Sequence, residues 1–228
     1  MEDLSKELVE ELNCDTVFTI PIFGGIAVAE SVVITWLIMA VLLVLSICLV
    51  RNLKVKGAGN KQLLLEVAVG GMYAFFNDTM GEHGRRYTPY LCTVGIYLAI
   101  ANLIGLIGIK PPTKDLGVTA ALSLMSILLI EYARIHQRGT KGWIKGFAEP
   151  IAIIAPINVL EIFIRPLSLC MRLFGNILGS FVVMELIKLI VPIVVPVPFS
   201  FYFDIFDGLL QAYVFVFLTS LFVRESVE

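Results

Sequence analysis

Charged residues are scarce in this sequence. Asp, Glu, Lys and Arg make up only 16% of its 228 residues, against about 25% in soluble globular domains. The 17 basic and 19 acidic residues give a net charge of -2, so the chain lacks the basic surface that phosphate contacts with nucleic acid require. This excludes nucleic acid as the main partner.

Residues for metal, thiol and hydrolytic chemistry are also few. The four cysteines have no CxxC spacing, and three of them lie in apolar runs, where a thiol behaves as a small hydrophobe. The two histidines lie in basic loops, and the apolar segments contain no GxSxG or HExxH motif. We therefore expect no metal site, no disulfide framework, no cofactor and no enzyme activity of the chain on its own.

Apolar residues, in contrast, are abundant. They account for 58% of the chain, and the mean hydropathy is +0.89. One compact core of this length cannot bury so many apolar side chains, so lipid must cover much of them. The sequence predicts an all-α integral membrane protein with a single membrane domain in the lipid bilayer.

Five apolar segments are long enough to cross a hydrocarbon layer of about 30 Å. Residues 62–80 form a sixth segment that contains Glu66 and has basic residues on both sides. We predict that this segment is an interfacial helix, or at most re-enters the membrane. The predicted spans are 31–50, 88–109, 117–135, 157–191 and 199–223.

Basic residues set the predicted orientation. Arg51, Lys54 and Lys56 follow the first span, and basic loops usually face the cytoplasm. This places the acidic segment 1–30 outside the cell, with no cleaved targeting segment visible in it, and the C-terminus in the cytoplasm.

The fourth segment, 157–191, would extend about 50 Å as a straight helix, which exceeds the hydrocarbon layer. It must tilt or bend, and Pro166 is the expected position of a kink. Prolines then interrupt the chain before the last segment. The last two helices should therefore form a long, tilted hairpin.

Arg172 lies inside the fourth apolar segment, where a guanidinium costs between about 3 and 10 kcal/mol without a partner. Glu185 falls about 220° around the helix from it. The small and polar residues on the arginine's own face suit close packing against another helix or a passing partner with a carboxylate. They are Ser168, Gly175, Asn176 and Gly179.

On the last helix, Asp204, Asp207 and Gln211 are spaced i, i+3 and i+7, which places them on one face of an α-helix. Asp204 alone is also explained as an acid at a helix N-terminus. Together with Glu185 and Lys188, however, the two aspartates form a cluster of ionisable residues around the hairpin. Such clusters inside a membrane more often line an aqueous or proton pathway than a lipid-facing surface.

The segment RPLSLCMRLFGN, residues 165–176, resembles the signature helix of subunit a of F-type ATP synthases. Further segments agree with that family in the same order, and the resemblance covers roughly residues 85–223. The RLFGN form resembles the bacterial members, which implies the bacterial plasma membrane. The agreeing segments are 87–107, 111–124, 156–169 and 209–222.

This resemblance implies a channel for protons or sodium ions in two halves, in a stator that works against a rotating c-subunit ring. By similarity, Arg172 faces the buried carboxylate of a ring subunit, and Gln211 lies beside the arginine. Asn176 and Ser168 match polar positions of the arginine helix, and Gly175 and Gly179 are small residues that face the rotor. Other implied partners are the b subunits of the peripheral stalk and the rest of the ATP synthase.

The sequence departs from the family pattern in the outer half-channel. The family commonly has an acid and a histidine nine residues after the arginine and seven before the glutamine. Those positions hold Phe181 and Asp204. We expect Asp204 to act as a proton relay and Glu185 to replace its partner. Lys114, Asp115 and Glu131 are weaker channel-lining candidates, for which an interfacial role is at least as good an explanation.

Two other functions remain open from the residues alone. A self-contained secondary transporter would bind an anion at the midplane arginine, although no internal repeat supports this. A membrane enzyme would have to build its active site from Asp204, Asp207 and Glu185. Copurification with a ring and a peripheral stalk distinguishes a stator subunit from both.

Overall fold

A computed structural model describes residues 16–20, 26–51, 53, 59–146, 155–190 and 196–227. The described chain is predominantly helical, as the sequence predicts. Its strands are β1 (Thr16–Ile20) and β2 (Ile26–Ala29). Its α-helices are α1 (Glu30–Val50), α2 (Asn60–Gly84), α3 (Thr88–Leu103), α4 (Leu116–Gly146), α5 (Ala155–Ile190), α6 (Pro196–Ser200) and α7 (Gly208–Val227), with a π-helix (Phe201–Asp207) before α7.

Five helical segments of the described chain are long and apolar enough to cross a membrane. This number agrees with the five spans expected from hydropathy and confirms the all-α membrane fold. Short 3₁₀ turns extend α3 at both ends. The five segments are Glu30–Val50, Arg85–Ile107, Leu116–Thr140, Pro156–Lys188 and Pro198–Val227.

Helix α1 packs on the rest of the chain only near its beginning. Ser31, Ile34 and Ile38 are buried, whereas the second half exposes large apolar side chains. The antiparallel β1–β2 hairpin precedes it. This strand pair was not among the predicted elements, although the β-branched residues in TVFTI and IAVA are a signal for strands.

Helix α2 contains the predicted interfacial segment 62–80, and it is not among the five candidate spans. Phe76 and Met80 are buried in the bundle, while Leu64 and Val67 are largely exposed. The helix changes direction at Gly81, whose φ of 70° favours a residue without a Cβ. Its depth in the membrane stays a prediction.

Helix α4 is longer than the predicted span 117–135 because it includes a second helical piece after Gly139. The φ of Gly139 is 69°, so the chain turns there. This turn lets Trp143 reach back, and its Nε1–H donates a hydrogen bond of 2.7 Å to Glu131 Oε2. The second piece therefore folds against the end of the first.

Helices α5 and α7 correspond to the predicted last two spans. Helix α5 continues through Pro166, although proline removes one backbone hydrogen bond of a helix. The π-helix lies directly before α7 and contains both aspartates of the last helix. The connection 191–195 lies outside the described residues.

Helix α7 forms the centre of the bundle and packs against α2, α3, α4 and α5. Its buried side chains include Phe215, Val216, Thr219 and Ser220. Leu91 and Leu98 of α3 and Ile130 of α4 belong to the same apolar core. Helix α5, which carries Arg172, packs mainly against α4 and also contacts α7.

Candidate functional site

Arg172 points away from the bundle. Its side chain is exposed, and the part of the chain that the structure describes offers it no hydrogen bond and no ion pair. A different face of α5 packs against the bundle, because Leu169, Cys170 and Leu173 are buried. The apolar face fixes the helix and leaves the arginine outward.

The small residues on the arginine's face leave open space. A Cβ added to Gly175 or Gly179 would meet no atom within 4 Å, and Ser168 is exposed. Close packing against another described helix of this chain therefore does not account for the two glycines. We call Ser168, Arg172, Gly175, Asn176 and Gly179 the arginine strip.

Asp207 lies at the edge of this strip. Asn176 Nδ2 donates a hydrogen bond of 2.9 Å to Asp207 Oδ2, and Ser180 Oγ donates one of 3.0 Å to the same oxygen. Both donors come from α5. The carboxylate of Asp207 thus joins the last helix to the arginine helix one turn from Arg172.

Asp204 has different neighbours. Its Oδ2 accepts a hydrogen bond of 2.5 Å from Ser200 Oγ, and its Oδ1 lies 3.1 Å from the position that a Cβ on Gly105 would take. Asp204 therefore faces the end of α3, whereas Asp207 faces α5. The α-helical spacing of the sequence had predicted both aspartates on one helical face.

The π-helix accounts for this difference. Gly208 N–H bonds to Phe203 O, which is the i to i−5 pattern of a π-helix. Each residue of the wider helix turns by less than the roughly 100° of an α-helix. The α-helical spacing that places Asp204 and Asp207 close together therefore does not hold.

Gln211 is buried, with an exposed fraction of 4%. Its Nε2 has no hydrogen-bond partner among the described residues, and burying such a group without a partner is costly. The structure gives no hydrogen bond from Gln211 to Arg172, so their expected proximity stays a prediction. The side chain of Glu185 lies outside the described residues.

A cavity of about 740 Å³ lies beside Asp204. We call it the hairpin cavity. Asp204 lines it from the π-helix, and Ser180 and Phe181 line it from α5. Lys110 and Lys188 also border it. Because Ser180 both lines the cavity and donates to Asp207, the cavity is connected to the arginine strip through polar groups.

Buried polar groups hold the wall of this cavity in place. Asn102 Nδ2 donates to Gly208 O at 2.8 Å, and Thr113 Oγ1 donates to Asn102 Oδ1 at 2.9 Å. Neither residue was among the predicted site residues. An asparagine inside an apolar span was the available signal, because it must find partners there.

The side chains of Lys114 and Asp115 contact other parts of the chain, so neither is simply a solvated residue at the end of a helix. Lys114 has an exposed fraction of 5%, and its Nζ lies 3.8 Å from the centroid of the Phe181 ring, a cation–π contact. Asp115 accepts a hydrogen bond from Ser31 at the start of α1. The loop between α3 and α4 is thereby tied to α1 and α5.

A second cavity, of about 170 Å³, lies where α5 begins and α7 ends, at the far end of these helices from the hairpin cavity. We call it the arginine pocket. Arg165 lines it and forms ion pairs of 2.7 Å with Glu161 and 2.9 Å with Glu225. Glu131 also borders this pocket. The described residues include no group of three or more His, Cys, Asp or Glu arranged to hold a metal ion.

This architecture defines a multispanning membrane protein that carries an arginine between two cavities, each of which contains charged side chains. The chain belongs to the ATP synthase A chain family, whose model matches residues 32–224. Chains of this family are components of the membrane sector of the complex and are not enzymes by themselves.

Three bacterial relatives illustrate the similarity. The ATP synthase subunit a 1 of Pelobacter propionicus is 39% identical over 213 residues, which cover 91% of this chain and 92% of the relative. The ATP synthase subunit a of Moorella thermoacetica is 35% identical, with 90% and 94% covered. The ATP synthase subunit a of Geotalea daltonii is 36% identical, with 88% of each chain covered.

Proposed function

We propose that this chain is the ion-translocating stator subunit of a bacterial F-type ATP synthase. One observation carries the proposal: Arg172 is exposed and lies between two cavities that both contain charged side chains. It follows Arg165 of the arginine pocket by seven residues and precedes Ile177 of the hairpin cavity by five. At 1.5 Å per residue, the arginine pocket is about 11 Å and the hairpin cavity about 8 Å along α5 from the arginine.

Each cavity then serves as one half-channel that reaches the arginine strip from one side of the membrane. An ion enters one cavity, binds a carboxylate on the rotating c ring, and leaves through the other cavity after rotation. Gly175 and Gly179 support this arrangement, because the space beside them is open for a neighbouring subunit. Ser168 and Asn176 supply polar groups along the same surface.

The guanidinium of Arg172 supplies the coupling. An arginine keeps its proton in proteins, so it acts as a permanent local cation. A cation beside the ring carboxylate favours the ionised form and promotes release of the bound proton. The same charge repels a proton that would pass directly between the half-channels. Ion flow is then coupled to rotation of the ring.

The assembly and orientation are part of the proposal. The chain contacts the c ring through the arginine strip, and b subunits of the peripheral stalk hold it against rotation. In the bacterial plasma membrane its N-terminus is outside and its C-terminus is in the cytoplasm. In the predicted orientation, α5 ends on the outer side of the membrane and α7 ends on the cytoplasmic side. The hairpin cavity, near the end of α5, then opens to the outside, and the arginine pocket, near the end of α7, opens to the cytoplasm.

The test is ATP-driven ion pumping by the assembled complex in vesicles. We expect Arg172→Ala to reduce the initial rate by at least about tenfold, because it removes a charge aligned with the reacting carboxylate. The matched control is Arg224→Ala, which removes an exposed arginine near the end of α7. This control should stay within about twofold of the wild-type rate.

Unchanged pumping by Arg172→Ala would overturn the proposal. Measurement in sodium-free and sodium-containing buffer identifies the ion, because a sodium-coupled complex needs added sodium. Copurification of the chain with a c ring provides the check on its partners.

A further inference from the structure

We propose that Asp207 is the last proton-carrying group of this chain before the ring carboxylate. This inference rests on the proposed function and adds a specific step to it. In the described chain, Asp207 is the carboxylate that is hydrogen-bonded both to a residue of the arginine strip and to a residue of the hairpin cavity.

The contacts define a continuous path. Ser180 lines the hairpin cavity, and its hydroxyl donates to Asp207 Oδ2 at 3.0 Å. Asn176 donates to the same oxygen at 2.9 Å and lies one turn after Arg172. A proton at Asp207 has thus crossed from the cavity to the edge of the arginine strip.

Each transfer on this path conserves protons. A hydronium ion in the cavity gives a proton to Ser180 Oγ and becomes water, while the hydroxyl proton of Ser180 moves to Asp207 Oδ2. The hydroxyl is restored, and Asp207 becomes a neutral carboxylic acid. Asp207 then gives this proton to an ionised ring carboxylate and returns to its charged form. The new O–H bond forms on the ring as the O–H bond at Asp207 breaks.

Phe181 cannot serve as this group. Its ring carries no exchangeable proton, and Lys114 Nζ covers it at 3.8 Å from the centroid. Asp204 does not reach the strip in the structure, because it is bonded to Ser200 and faces Gly105. Asp204 is therefore placed to collect protons in the cavity, and Asp207 to deliver them.

The experiment compares Asp207→Asn, Asp207→Glu and Arg172→Ala in the assembled complex in vesicles. Asparagine retains an oxygen that accepts from Asn176 and Ser180, but it cannot carry a proton. Asp207→Asn should therefore lower the rate of ATP-driven acidification by at least about tenfold, the lower range for loss of a proton-transfer group. Asp207→Glu retains a carboxylate and should keep at least about half of the wild-type rate.

Thermal unfolding of the complex separates proton transfer from a structural role. Loss of pumping by Asp207→Asn with an unchanged unfolding temperature supports the relay. A clearly lowered unfolding temperature of Asp207→Asn would overturn it, since the defect would be structural. Pumping within twofold of wild type by Asp207→Asn, or a strict requirement for sodium, would also overturn it.

The two proposals fail in distinguishable ways. If Asp207→Asn pumps normally while Arg172→Ala does not, the relay is wrong and the stator function stands. If Arg172→Ala also pumps normally, the stator function itself is wrong.

Discussion

At the residue scale, Gly105 determines how much room the Asp204 carboxylate has. A Cβ at this glycine would lie 3.1 Å from Asp204 Oδ1, which is closer than carbon and oxygen atoms usually pack. The aspartate is also held by Ser200. A methyl group at position 105 must therefore displace the carboxylate from its place in the hairpin cavity.

We expect Gly105→Ala to slow ATP-driven pumping by about threefold, because small displacements of a reacting group reduce its rate. The matched control is Gly71→Ala on α2, where an added Cβ meets no atom within 4 Å. This control should pump at the wild-type rate. Equal rates for the two variants would show that the position of Asp204 does not limit proton release through the hairpin cavity. The measurement is the initial rate of acidification in vesicles.

Single residues also show what the sequence can and cannot predict. Arg172 faces outward because the buried apolar residues of its helix lie on a different face. The helical period of these residues predicts this position of the arginine. The different neighbours of Asp204 and Asp207 do not follow in this way. A π-helix depends on which backbone groups pair, and side-chain spacing read with an α-helical period misses it.

At the scale of elements, Arg165 joins two helices at the end of the bundle opposite Asp207. It pairs with Glu161 on its own helix at 2.7 Å and with Glu225 on α7 at 2.9 Å. The guanidinium also lies 4.9 Å from the centroid of the Phe222 ring. Seven residues separate Arg165 from Arg172, so this contact fixes α5 against α7 close to the arginine strip.

Replacing Arg165 with Met keeps an unbranched side chain but removes the charge that pairs with both acids. We expect the complex to lose about 1–3 kcal/mol of stability, between the values for exposed and buried ion pairs. The control, Arg134→Met, removes a pair of 3.6 Å with Glu131 within one helix and should cost about 0.5 kcal/mol. Thermal unfolding of the detergent-solubilised complex measures both, and equal unfolding temperatures would contradict this role of Arg165.

Helix–helix pairing is less predictable than the helices themselves. The five apolar segments are visible from hydropathy, but hydropathy treats burial in lipid and burial in protein alike. Leu43 is largely exposed, whereas Leu98 is completely buried, although both lie in uncharged apolar stretches of predicted spans. The central place of α7 therefore emerges only from the three-dimensional packing.

At the scale of the whole molecule, the proposed five crossings place the two ends of the membrane domain on opposite sides. The loop between α3 and α4 should face outward, and the end of α4 should face the cytoplasm, because basic residues follow that span. The hairpin cavity includes Lys110 of this loop, and the arginine pocket includes Arg138. The hairpin cavity therefore opens to the side of the membrane that Lys110 faces, and the arginine pocket opens to the side that Arg138 faces.

The test of orientation uses two single-cysteine variants, Lys110→Cys and Arg138→Cys, in a chain whose native cysteines are replaced by serine. In intact spheroplasts, a membrane-impermeant maleimide should label position 110 and spare position 138. In inverted vesicles the labelling should be reversed. Labelling of both positions from the same side would contradict the proposed orientation.

The π-helix has a consequence for how roles are transferred between homologous chains. An alignment matches residues by their order along the chain, whereas a channel depends on the direction in which each side chain projects. Two homologues can align through residues 201–207 without a gap and still direct their acids toward different helices, if only one of them has the wider helix. Whether two such residues have the same function should therefore be judged by the direction in which each side chain projects from the helix axis. Their alignment to the same position is not sufficient.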